Sequence, residues 1–370
     1  RDVNGLPNGV CRESAARLIQ IDKMQKPPAA SEEEEQAAYR KCFKNYISKG
    51  ITSITEAGSS FNKMKIYERL QEKGLTLRIN LLISEASLDQ VIKKGIKQGY
   101  GNDELRISGI KTFHGNSLSG RTCWLNEPYD IVNPETGKKD YYGIPPKRNQ
   151  AQLDSLFRKI QDNDLQIACH SNGDREIEMV LNAYEKIQQP DQPKNKRHRI
   201  EHCSVTNELI LQRLKNDSVI AVFHSYIHEH GDKMLVYGAK RWPLMHPNKT
   251  AMDKGIFVAQ HSDSPVSAAD PMLRIQSLAT RTSAEGIVIG ENQRLTAEEA
   301  IRLWTIGGAY ASFEEKIKGT IEEGKLADFV VLSEDPTKAN VFKLKDVEVH
   351  QTVIGGKIAY ERSTMENSKK

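Results

Sequence analysis

LQIACHSNGDREIEMVLNAYEKIQQPDQPKNKRHRIEH, residues 165–202, sets two short β-rich runs, each closed by a histidine, on either side of an amphipathic helical stretch. A strand, a helical crossover and a second strand make the repeating unit of a parallel sheet. Working outward, the same rhythm runs from Gly50 to Asp263. Strand-like runs are ITSITEA (51–57), LRINLLI (77–83), ISGIKTF (107–113), LQIACH (165–170), HRIEH (198–202), SVIAVFH (218–224) and IFVAQHSD (256–263). Helical segments lie between them: FNKMKIYERLQEKG, ASLDQVIKKGIKQG, QAQLDSLFRKIQDN, DREIEMVLNAYEKIQQ and TNELILQRLKND, several ending in the Gly or Asn that helix C-termini favour. The fold class this predicts is α/β, a (β/α)8 TIM-type barrel of which seven strands are visible. The expected eighth strand is the first, placed upstream of this sequence, so the chain is read as N-terminally truncated.

The flanks read differently. Residues 1–48 are helical in pattern: ESAARLIQIDKMQ, a Pro-Pro break, then SEEEEQAAYRKCFKNYIS with Ser31 as N-cap and acids in the first turn. They form a helical insertion or lead-in within a barrel unit spanning 1–318. EPYDIVNPETGKKDYYGIPPK (127–147) is too long for a turn and is expected to serve as a lid. After a helix capped at Thr296 the texture changes to short β runs with turn signals, a small β unit over 319–362; residues 363–370 are expected to fray.

The chain has 370 residues, 38% hydrophobic and 28% charged, which suits an ordinary globular protein with room for one large and one small unit. Its formal charge of +4 is interspersed rather than gathered into a stripe, arguing against nucleic acid as a partner. No apolar run approaches the roughly 20 residues of a membrane helix. Five scattered cysteines without a CxxC pair argue against a disulfide framework or zinc finger and favour a reducing, cytoplasmic setting.

Barrel active sites lie at the C-terminal ends of strands, which singles out Lys111, His170, His202 and Asp263. Taken one at a time, each has an ordinary structural role, as a rim histidine, a snorkelling lysine or a turn-capping aspartate. Two imidazoles and a carboxylate together suit a divalent zinc-like ion with an open position for water. Asp263 fits the carboxylate that takes a proton from that water and passes it to a leaving group. His224 is read as lining the pocket or a solvated loop together with His228 and His230, and His261 as a supporting residue on the face of Asp263. His198, His246 and His350 are read as structural or exposed, and Cys169 and Cys203 as inert packing in the barrel wall.

HSNGDREIEMVLNAYE (170–185), RHRIEHCSV (197–205), GIFVAQHSDSPVSAADPM (255–272), RLTAEEAIRLWTIGGAYAS (294–312) and GTIEEGKLADFVVLSEDP (319–336) together resemble the YtcJ-like amidohydrolases. The resemblance covers most of the chain from Gly50 onward. It implies a metal-binding barrel beside a small β-sandwich, with 319–362 as the sandwich's C-terminal portion. It further implies His170 and His202 as ligands of one metal, Asp263 as ligand and general base, and Lys111, once carbamylated, bridging two ions. Asp174 and Arg175 match the pattern as supporting residues. Two departures stand out. No His-x-His pair precedes Gly50; the sequence's single such pair, His228 and His230, follows the sixth run. Gly115-Asn116 replaces the usual Asp-Gly.

The function expected is metal-dependent hydrolysis of a non-peptide, amide-type carbon–nitrogen bond in a small molecule, with one or two divalent ions, zinc first. A rival reading is a truncated, catalytically inactive barrel that binds a ligand or partner; self-association into a homo-oligomer is open under either. A third, with Lys111 as a Schiff-base amine, predicts trapping by borohydride.

Overall fold

Seven of the β-rich runs form strands in the computed structural model, which describes Leu6, Gly9 and residues 11–13, 30–133, 136–188 and 196–363. They are β1 (Ser53–Ser59), β2 (Arg78–Ser84), β4 (Leu105–Phe113), β5 (Gln166–Ser171), β6 (Arg199–His202), β7 (Ile220–His224) and β8 (Val258–His261), with a two-residue β3 (Tyr100–Gly101) pairing antiparallel to β4. Sequence order is spatial order, β1-β2-β4-β5-β6-β7-β8, and each neighbouring pair on this path is parallel. A three-stranded antiparallel sheet of β9 (Phe329–Leu332), β10 (Val349–Ile354) and β11 (Lys357–Glu361) stands apart.

Several helices begin at a residue whose side chain caps them. Helices α1 (Glu32–Ser48), α2 (Phe61–Glu72), α3 (Leu88–Lys93), α4 (Gln150–Gln161), α5 (Asp174–Ile187) and α6 (Glu208–Asn216) are followed by the short α7 (Ile227–Met234) and α8 (Asn248–Asp253), then α9 (Pro271–Thr280), α10 (Ala297–Trp304) and α11 (Ile306–Ala311). Ser31, Asn149 and Thr296 close reciprocal capping boxes with Glu34, Gln152 and Glu299. The segment read as one helix from Thr296 breaks at Thr305, whose φ and ψ of −114° and −90° are not helical. The expected helix over ESAARLIQIDKMQ and the frayed tail lie almost wholly outside the described residues.

The main core is buried between the sheet's outer face and the helices, built from residues such as Leu77, Ile79, Leu81, Ile107, Ile167, Cys169, Ile200, Cys203, Ala221 and Phe223. Cys169 therefore sits in the wall, as alternation along β5 requires, and Cys203, just past the end of β6, is buried in the same core. Inside the curl a separate small cluster of Ile220, Val222, Ala259 and Ala311 fills the floor. The 127–147 segment forms no helix or strand among its described residues. It packs Tyr129, with half-buried Ile131 and Tyr141, against Tyr226, Met234 and Tyr237, anchoring it beside the end of β7. Among the described residues no helix is long and apolar enough to cross a membrane.

Candidate metal centre

Four histidines meet at the C-terminal ends of β5 to β8. On β7 and β8, Ile220, Val222 and Ala259 face the inner cluster, so His224 and His261 face inward by alternation. His224 and His261 are directly paired across the two strands, and their rings stack with centroids 4.7 Å apart. His202 follows Glu201, whose charge acts on inward-facing Lys111, so alternation alone would turn it outward. A left-handed φ of 72° at His202 breaks the alternation and brings its ring to 4.8 Å from His261 and 4.5 Å from His170. Asp263, with φ of 53°, is the other left-handed residue of the set. Non-glycine residues hold such conformations at a cost of about 1–3 kcal/mol, and they concentrate at functional sites.

His202, His224 and His261 each offer a ring nitrogen, and these atoms all lie within 4.8 Å of one another. The chemistry of this set fits a divalent ion. Burial pushes the His261 imidazole down to about 3, and those of His202 and His224 well below the ordinary value, so all three are neutral at pH 7, the form that ligates. The Nε2 of His224 lies 2.8 Å from the Ser262 carbonyl; donating there, it leaves Nδ1 as the lone-pair nitrogen. The Nε2 of His261 is buried with no hydrogen-bond partner, so a ring nitrogen is free to act as a ligand.

The four residues singled out in the sequence divide between this cluster and its surroundings. His202 is at its centre. His170 is its neighbour, with burial first and the Lys111 charge second lowering its imidazole to about 3. Lys111 is buried below on β4, its Nζ 3.8 Å from the Phe113 ring centroid and 3.3 Å from the Thr112 carbonyl. Burial lowers its ammonium; Glu201, Cys169 and Asp263 oppose that. Asp263 lies two residues beyond the end of β8 rather than closing it, its side chain reaching solvent at the mouth while protein crowding raises its carboxyl. Asp174 accepts from the backbone N–H groups of Asn126 (3.0 Å) and Arg175 (2.9 Å), and the Arg175 guanidinium covers the Trp124 ring at 3.9 Å. Both pin the loop after β4 onto the start of α5.

Sequence reasoning placed His224 in the pocket lining and His261 in a supporting role; the structure puts both inside the cluster. His228 and His230 lie on α7, and His230 stacks on Tyr226 at 4.2 Å. His198 is buried with both nitrogens bonded, to Ile167 N and Gln161 Oε1. His246, also read as structural, is buried with neither ring nitrogen partnered.

Glu176 was missed altogether. It lies at the third position of α5, where an acid commonly reaches back to the cap. It is fully buried and gathers backbone N–H groups from Asn172 and Gly173 (both 2.8 Å), Trp124 (3.1 Å) and Asn116. Burial raises its carboxyl, and these four bonds work against the rise. The unusual Gly115-Asn116 step has its physical reason here. A Cβ on Gly115 would stand 2.2 to 2.5 Å from the Glu176 carboxyl atoms, and the φ of 125° there also favours glycine.

Residues 1–360 match the family model described as "Amidohydrolase family". The chain belongs to the amidohydrolase family. Within it, this amidohydrolase-family chain is 31% identical over 375 residues to the putative amidohydrolase YtcJ of Bacillus subtilis, covering 98% of the chain and 68% of that protein. It is 21% identical to the N-substituted formamide deformylase of Arthrobacter pascens, across 98% of the chain and 67% of the relative. Among solved structures it is similar to an uncharacterized metal-dependent hydrolase from Pyrococcus furiosus, with a TM-score of 0.72, 24% identity, and coverage of 88% of this chain and 64% of that one. The chain thus spans about two thirds of the length of the relatives it matches.

Proposed function

We propose that this chain carries the catalytic body of a metal-dependent amidohydrolase that cleaves a non-peptide, amide-type carbon–nitrogen bond in a small molecule. The observation that carries the reading is the cluster of three neutral imidazoles, two buried and one half-buried, at successive strand ends, where barrel hydrolases work. His202, His224 and His261 would hold the ion, zinc being the best match to an all-imidazole set. A bound ion would supply Lewis acidity to the scissile carbonyl and to water. Asp263, at the mouth and with a raised carboxyl, takes the proton from water and returns it to the leaving nitrogen. His170 and Lys111 complete the set implied by the resemblance, Lys111 through a carbamate on its buried amine. On the same reading the sheet is seven strands of a (β/α)8 barrel, its gap lying between β8 and β1, and β9 to β11 are part of a small sandwich. Asp174 and Arg175 support the loop that borders the site.

The test is elemental analysis and zinc titration of the purified chain, then turnover of a panel of N-formyl and N-acyl amines by wild type and Asp263→Asn. Zinc bound in a defined ratio, turnover by wild type and loss of about 10²–10⁴-fold in the variant are expected. Zinc bound without turnover of any amide would favour the rival, a ligand-binding barrel. No metal at all would overturn the proposal.

A further inference from the structure

The ring orientation of His170 is held by the loop after β4 rather than by its own strand. Its Nε2 lies 3.0 Å from the carbonyl oxygen of Asn116, and the Asn172 side-chain amide donates to the same oxygen at 2.8 Å. The Asn172 amide and the His170 Nε2 are themselves only 3.2 Å apart. Two groups converging on one acceptor are both donors, so Nε2 carries the proton and Nδ1 keeps the lone pair. The Asn116 carbonyl thereby selects the nitrogen that His170 can offer to an ion.

What keeps that carbonyl in place is Glu176. Its carboxylate accepts the N–H of Asn116 and of Trp124 from the loop after β4, and those of Asn172 and Gly173 from the end of β5. Ser204, two residues past His202, extends the network by donating to Asn172 Oδ1 at 2.6 Å. The loop cannot approach or retreat without breaking several of these bonds, and the glycine at 115 leaves the carboxylate the space it occupies. We infer that Glu176 is a positioning residue: it clamps the β4 loop to the β5 end so that the Asn116 carbonyl fixes the Nε2-protonated tautomer of His170. The inference rests on the proposed hydrolase reading only where it concerns the ion.

The tautomer is read without metal. Long-range ¹H–¹⁵N correlation of the ¹⁵N-labelled, metal-free protein at neutral pH is expected to show His170 protonated at Nε2 and bare at Nδ1. A wild type protonated at Nδ1 overturns the inference, and that measurement needs no variant to fold. In Glu176→Gln one carboxylate oxygen becomes an NH₂ facing backbone donors. The variant should then show mixed tautomers at His170 and a zinc affinity lower by about tenfold, the scale of lost orienting partners. Asp328→Asn, destabilising but remote, should keep the wild-type tautomer and affinity. An unchanged His170 and unchanged zinc affinity in Glu176→Gln, or equal losses in Asp328→Asn, refutes the positioning role. Failure of every version to bind zinc would sink the hydrolase reading, while the tautomer still decides this one.

Discussion

Asp328, just ahead of β9, reaches 250 residues back in sequence to Arg78 at the start of β2 and ties the small sheet to the parallel one. Its Oδ2 accepts from Arg78 Nε at 2.6 Å, and its Oδ1 from Nη2 at 3.0 Å and from Gly355 N at 2.7 Å. The paired side chains are 8% and 3% exposed. Asp328→Asn keeps the shape and removes the charge. The amide oxygen can stay on Gly355 and one guanidinium nitrogen, but the new NH₂ confronts the other, leaving Arg78 with the Asp103 carbonyl at 3.2 Å as its nearest further acceptor. Removing one partner of a buried pair costs about 3–5 kcal/mol; with one N–H bond and that carbonyl retained, about 3 kcal/mol is expected. Denaturant unfolding of wild type, Asp328→Asn, Arg78→Met and the double variant measures it. The double variant should fall short of the sum of the singles by about 1–3 kcal/mol, since it leaves no charge unpaired. Zinc binding should be untouched, because Arg78 begins β2 whereas the histidines stand at the other ends of the strands. A single-variant loss below about 1 kcal/mol, or strict additivity, would refute the reasoning.

Three further outcomes follow from the same structure. Asp164 lies between Lys196 (2.7 Å) and Lys97 (2.8 Å), which hold its carboxyl down at about 2. A depressed folded pKa gives stability that is full above the ordinary carboxylate value of about 3.9 and is lost as pH falls through about 2. The effect is small because the group is half exposed, so the check is an NMR titration of the carboxyl, and a midpoint near the ordinary value contradicts it. Cys11 and Cys42 are exposed, whereas Cys123, Cys169 and Cys203 are buried, with burial pushing the Cys169 thiol up to about 12. A thiol reagent should therefore label Cys11 and Cys42 in the native protein, and rapid labelling at any of the other three would be inconsistent with the core described. Zinc at 100 times its dissociation constant should raise the unfolding free energy by about 2.7 kcal/mol, and chelation should remove the gain. A gain that survives in His261→Ala would place the ion elsewhere.

The sequence by itself determined the elements and the end of the sheet at which to look. Period-two runs such as LRINLLI and SVIAVFH, and capped amphipathic segments such as the one from Ser31, are local signals, fixed by strand pleat and helix turn, and the seven strands on the path of the parallel sheet were legible from them. The strand-end position of His170 and His202 was legible for the same reason. Which histidines meet was not. His202 enters the cluster through a left-handed backbone at the strand end, and His261 joins it because β8 lies in register with β7, neither of which a one-dimensional pattern carries. Glu176 looked like an ordinary acid in a helix's first turn; only the approach of the loop around Gly115 makes it a clamp. Likewise Asp328 read as one letter of a motif until the fold brought Arg78 beside it. Local periodicity encodes elements, whereas a site is made of residues far apart in sequence whose meeting depends on sheet curvature, register and a few unusual φ angles, and those exist only in three dimensions.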